Sequence, residues 1–127
     1  MLAPPLAEFL SAVIINNIEV SGYLVAAATS LGKNLLPRVA AIWDVPQISD
    51  VTTIVDHRTF KHPIYAGNAV ETVRVLDVPT VCLTVRASAF PFVKSQRKNL
   101  APVRSLPYTT YHLRSEFCSL ETHNSAE

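Results

Sequence analysis

The sequence predicts an α/β domain, and three observations carry that reading. Two segments with helical periodicity, residues 4–16 and 31–44, bracket an unbroken apolar run at residues 23–28. After Pro46 the pattern changes to short β-branched and alternating runs separated by turn residues. The chain has 127 residues, 49% of them hydrophobic and 17% charged. That is enough apolar side chain for one compact core and the wrong composition for wholesale disorder.

In residues 4–16, Leu6, Phe9, Leu10, Val13 and Ile14 recur at i, i+3, i+4, i+7 and i+8, which gathers them on one helical face. Pro4 and Pro5 fall before or in the first turn, where a missing N–H is tolerated. Asn16 and Asn17 mark the end, and Ser21-Gly22 a turn. Residues 23–28 lack alternation and suit a central parallel strand covered on both faces. Residues 31–44 form the second helix, with Leu35, Val39, Ile42 and Trp43 on one side. Pro37 sits in its first turn if Asn34 is the N-cap; with Ser30 as the cap it implies a kink. Helix, strand and helix in succession fit part of a right-handed crossover.

Residues 48–55 are β-branched and read as one strand, Asp56-His57-Arg58 as a turn, and residues 59–66 as a second extended run. Pro63 within that run suggests an edge position or a bulge. Gly67-Asn68 is a tight turn, residues 69–75 a third strand, and Asp77-Val78-Pro79 another turn. Residues 80–86 alternate, with Val81, Leu83 and Val85 facing one way and Cys82, Thr84 and Arg86 the other. This makes Cys82 a strand residue rather than a reactive thiol. From Phe90 onward prolines interrupt the pattern, so residues 1–90 are expected to form the domain and residues 91–127 a flexible tail.

Charge and composition exclude several classes. The formal net charge is +1, which provides no basic field for nucleic acid. The tail is mildly basic, with five basic and three acidic groups in residues 89–127; a solvated extension is the expectation there. Cys82 and Cys118 are too few for a disulfide scaffold or a four-cysteine zinc site, and His57, His62, His112 and His123 lack the spacing of a helical metal site. The pattern is that of a reduced, intracellular chain. No segment reaches the ~18 uninterrupted apolar residues of a membrane span, and residues 1–9 lack the basic start of a secretory signal.

The strongest chemical feature is the strand-to-helix junction Ala28-Thr29-Ser30-Leu31-Gly32-Lys33-Asn34. A helix N-terminus at the C-terminal end of a parallel strand favours an anion. Gly32 would admit close backbone approach, and Thr29, Ser30 and Lys33 could add donors, although the segment matches neither common phosphate-loop pattern. A plain capping role for Ser30 or Asn34, with Lys33 solvated, is the alternative. Asp44, Asp50 and Asp56 lie at element ends, where Asp serves turns. No nucleophile with a paired base is apparent, and an adenylyl-transfer enzyme would need a phosphate loop and metal ligands that are not found.

Several runs go further. Leu31-Gly32-Lys33-Asn34-Leu35-Leu36-Pro37-Arg38-Val39-Ala40-Ala41, Ile48-Ser49-Asp50-Val51, Phe60-Lys61-His62-Pro63-Ile64-Tyr65-Ala66-Gly67-Asn68-Ala69 and Thr84-Val85-Arg86 resemble, in order and spacing, the electron transfer flavoprotein alpha subunit. The resemblance is to the N-terminal domain of that family and covers roughly Leu6 to Phe90. Leu31, where the family usually has Phe, keeps the apolar character.

The resemblance implies a three-layer fold of the adenine-nucleotide alpha-hydrolase type, with a mostly parallel sheet and added antiparallel strands, truncated at the N-terminus because the first family strands should precede Met1. It implies a parent heterodimer with a beta subunit and one FAD. That parent takes electrons from acyl-CoA and other dehydrogenases, as in fatty acid beta-oxidation, and passes them to a quinone oxidoreductase. It implies a mitochondrial matrix or bacterial cytoplasmic location, and AMP only through the beta subunit. In the family FAD sits mainly in the C-terminal domain, whose glycine-bearing motifs are absent here. The chain alone is therefore expected to be a redox-inactive fragment serving subunit and domain assembly. Arg38, Asp50, Tyr65 and Asn68 are the candidate interface residues, and Ser30, Gly32, Lys33 and Asn34 the candidate anion contacts. The alternative is a module that binds adenine nucleotide at residues 30–34. Missing leading strands would leave a sheet edge uncovered and favour non-native association.

Overall fold

Strand β6 (Thr80–Val85) is the hub of the architecture, and its alternation explains why. Cys82 points into a cluster with Leu35, Leu36, Val39, Ala40 and Ala7, whereas Val81 and Leu83 point into a second cluster with Ile48, Val51, Phe60 and Val75. A strand that feeds two apolar layers must lie between them, and residues 80–84 are all buried. The computed structural model describes residues 6–12, 22–94, 100, 102, 103, 105 and 118–122.

In these residues β1 (Gly22–Ala27), β6 and β2 (Gln47–Val51) form a parallel sheet in the order β1-β6-β2. Helix α1 (residues 6–12) and helix α2 (Ser30–Trp43) pack against one face. A second, antiparallel sheet contains β3 (Thr53–Asp56), β4 (Thr59–Ile64) and β5 (Ala69–Arg74) in chain order. Its Phe60 reaches the other face of the parallel sheet. The result is the expected α/β domain with a parallel sheet and added antiparallel strands.

Several expectations need correction. Strand β1 is not covered on both faces: Tyr23 and Val25 are about half exposed, and among the described residues β1 borders only β6. Its run lacks alternation because the outward positions happen to be apolar too. Residues 48–55 are two strands in different sheets, since one extra residue bulges out of the β2–β6 register between Ile48 and Val51. Pro63 lies in the middle strand of its sheet, where β3 pairing stops at Lys61 and, among the described residues, β5 alone continues alongside, through Val70. Among these residues the proline pairs with a strand on one side, which resolves the conflict with its missing donor.

The helices also differ in detail. Neither Ser30 nor Asn34 caps α2; Thr29 does, its Oγ1 accepting from the Gly32 N–H at 3.2 Å. Pro37 is consequently interior to the helix. The buried stripe of α2 runs through Gly32, Leu35, Leu36, Val39 and Ala40. Ile42 falls at its margin and is half exposed. On α1 the buried row is Ala7 and Ser11, flanked by partly buried Leu6 and Leu10; Val13 and Ile14 lie outside the described residues. Cys82 is fully buried, and burial pushes its thiol up to about 11, which keeps it protonated and inert.

Candidate functional site

Parallel strands end together, so their C-terminal edge collects the loops that follow them. Here that edge is formed by Ala28-Thr29 after β1, the bulge of β2, and Arg86 after β6. The backbone ties these together: the Ala28 N–H donates to Val85 O at 2.8 Å and the Arg86 N–H to Val51 O at 2.9 Å. Helix α2 starts at this edge with its first turn packed on the end of β1. A Cβ on Gly32 would stand 2.0 Å from Ala27 O. Gly32 is thus required by strand–helix contact, and the space beside it is filled by the chain itself.

Asp50 sits at the centre of the edge. It adopts a left-handed conformation (φ 60), which a short polar side chain tolerates better than a bulky one. Its N–H donates to Thr84 Oγ1 at 2.8 Å, and Thr84, fully buried, donates in turn to Ser49 Oγ at 3.3 Å. The carboxylate is held by two nitrogens of Arg86, Nε at 3.1 Å and Nη2. This bidentate pairing, reinforced by the charges of Lys33 and His62, holds the Asp50 carboxyl below the usual carboxylate range against the opposing effect of burial. The same bond raises the Arg86 guanidinium.

The remaining sequence candidates divide. Lys33, exposed in the first turn of α2, joins the Asp50 group through its charge. Asn34 accepts from Arg38 Nε at 3.1 Å, an i,i+4 pair on the exposed face of α2. Ser30 is exposed at the helix start. Tyr65 and Asn68 belong to the turn that joins β4 to β5, where the Asn68 N–H donates to Tyr65 O at 3.1 Å. The residues missed from sequence are Arg86 and Thr84. Their signal was available, because Thr84 and then Arg86 follow Cys82 on one face of the alternating run.

The β4–β5 turn is strained. Tyr65 and Ala66 have φ of 52 and 53, and Gly67 follows at 86. A left-handed non-glycine residue costs about 1–2 kcal/mol, whereas glycine's extra freedom in the unfolded chain costs about 0.4–1 kcal/mol. Ala66→Gly should therefore raise stability by up to about 1 kcal/mol, read as a higher urea midpoint at unchanged slope. A lower midpoint would show that the turn stores no strain.

A shallow cleft of about 180 Å³ opens near the opposite, N-terminal ends of β1 and β6, lined by Tyr23, His57, Arg58, Val75, Val78 and Val81 among others. Arg58 is engaged there by Leu76 O at 3.0 Å and Asp77 at 3.1 Å. Among the described residues there is no cluster of metal-ligating side chains, and no helix is long and apolar enough to cross a membrane.

The fold and its polar edge define an α/β domain with a parallel sheet whose C-terminal edge carries the Asp50–Arg86 ion pair. The electron transfer flavoprotein domain model matches residues 1–110, and the chain belongs to that family. It is 44% identical over 101 residues to the electron transfer flavoprotein subunit alpha of Bradyrhizobium diazoefficiens, covering 80% of this chain and 31% of that protein. It is 42% identical over 105 residues to the mitochondrial subunit alpha of Oryza sativa subsp. indica, covering 80% of this chain and 28% of that one. Against the subunit alpha of Pseudomonas aeruginosa, identity is 49% over 74 residues, 58% of this chain and 24% of that protein. The chain thus spans about a third or less of the length of these relatives.

Proposed function

We propose that this chain acts within an electron transfer flavoprotein as a part of its alpha subunit, providing a scaffold on which the beta subunit and the flavin-holding part assemble. The family match over residues 1–110 carries this reading. The assembled protein would collect electrons from acyl-CoA and other dehydrogenases and deliver them to a quinone oxidoreductase, in a mitochondrial matrix or bacterial cytoplasm, with AMP held by the beta subunit. FAD would supply the redox chemistry, and protein the binding and orientation.

The start of α2 does not fit the pyrophosphate of FAD. The described cleft, of about 180 Å³, lies near the N-terminal ends of β1 and β6. At the other end of the sheet, the glycine that could have admitted a pyrophosphate faces Ala27 O instead. That contact supports a structural role for this part of the protein.

Native mass spectrometry of the chain, alone and co-expressed with a cognate beta subunit, tests the reading. The expected result is a heterodimer, with no flavin on the chain by itself. A chain that carries FAD alone would overturn the cofactor assignment, and failure to pair with the beta subunit would overturn the assembly role.

A further inference from the structure

The chain leaves the parallel sheet at Val51 and enters the antiparallel sheet at Thr53, and Asp50 lies just before this crossing. Its left-handed backbone lies within the bulge of β2, its N–H is committed to a fully buried Thr84, and its carboxylate is gripped by Arg86. Two further bonds flank it: the Arg86 N–H to Val51 O, and the Thr52 N–H to Lys61 O, both at 2.9 Å. The Asp50 side chain is only 16% exposed, and its carboxylate is engaged within the fold.

We propose that the Asp50–Arg86 pair is a conformational latch at the junction of the two sheets. Closed, it fixes how the β3-β4-β5 sheet is presented; open, it frees the junction while the helical side of the domain stays folded. The separate packing of the two apolar clusters permits this, because α2 and Cys82 belong to one and the junction residue Val51 to the other. Local opening of such units below the global unfolding free energy is a general property of folded chains. The latch does not depend on the partner assigned above.

Charged groups from each packed element bear on it. Lys33 from α2, His62 from β4 and Arg86 after β6 all favour the ionised carboxylate. Glu71 on β5 faces His62 at 2.8 Å. Because the folded-state pKa is depressed, the latch contributes its full stability above the ordinary Asp value. That contribution is lost as pH falls through the folded value.

Amide hydrogen exchange on the full 127-residue chain tests the latch. In Asp50→Asn and Arg86→Gln, exchange at Asp50 or its replacement, Thr52 and residue 86 should rise about tenfold, on the scale of weakening a charge-assisted pairing. Amides of Val39 and Cys82 should stay within about twofold, as expected for local opening. The double variant should match the single ones, since all remove one interaction, and Arg86→Lys should recover part of the protection. Unchanged exchange, or a uniform rise through α2 and β6, overturns the proposal. Should a variant not fold, NMR titration of the unsubstituted chain decides. Asp50 should titrate below the ordinary carboxylate range, with the Val51 and Arg86 amides shifting in step, and an ordinary titration that leaves them unmoved overturns it.

Discussion

Gly32→Ala is expected to destabilise the protein by about 2–4 kcal/mol, the upper range for a single substitution, against the sign that helix propensity predicts. In an open helical position this exchange gains up to about 1 kcal/mol, because alanine loses less conformational freedom than glycine. Position 32 is not open. The added methyl would stand 2.0 Å from Ala27 O and 3.2 Å from Ala27 C, and both are backbone atoms with no rotamer to yield. Relief requires α2 to move off the end of β1, which disturbs the Thr29 cap and the packing of Leu35 and Leu36. Equilibrium urea denaturation reads the outcome as a lower midpoint. An unchanged or higher midpoint would mean that the junction relaxes without cost and that the glycine is not needed for packing.

The same junction shows what sequence could and could not reveal. Ser30, Thr29 and Asn34 are all competent capping residues within six positions, and local chemistry cannot rank them. The choice falls on Thr29 because the chain turns at once after β1, its own N–H returning to Ala27 O at 2.8 Å. Strand β6 was legible down to the direction of each side chain, since two apolar layers with different chemistry imprint a period of two. The break at Thr52 was not. β-branched residues stand on both sides of it, and the left-handed turn of Asp50 is held by Thr84 and Arg86, 34 and 36 positions away. Asp50 was identifiable as a polar residue at an element end. Arg86 could be found only by noticing that Thr84 and Arg86 continue the face begun by Cys82, with no element left to bury a charge there.

Phe60→Ala carries the largest expected effect, a loss of about 3–5 kcal/mol. Phe60 is 1% exposed and belongs to the cluster with Ile48, Val51, Val75, Val81 and Leu83. It lies between Ile54 and Val73 in the antiparallel register, and Tyr23 meets its ring edge-on, with centroids 6.5 Å apart and planes at 74°. One side chain thus fastens the second sheet to β1, β2 and β6 together. Truncation leaves a cavity whose walls belong to two sheets, and closing it would need the sheets to shift against the bulge at Asp50. Domains are stable by only about 5–15 kcal/mol, so the variant should be close to unfolding at 37 °C. Phe60→Leu, which retains much of the apolar volume, should lose less, about 1.5 kcal/mol or under. The pair of variants separates two explanations by urea midpoint. If Ala and Leu are equally damaging, the aromatic edge contact with Tyr23 matters more than the filled volume. A loss below about 1 kcal/mol for alanine, far under the range for a buried aromatic, would show that Phe60 does not anchor the antiparallel sheet.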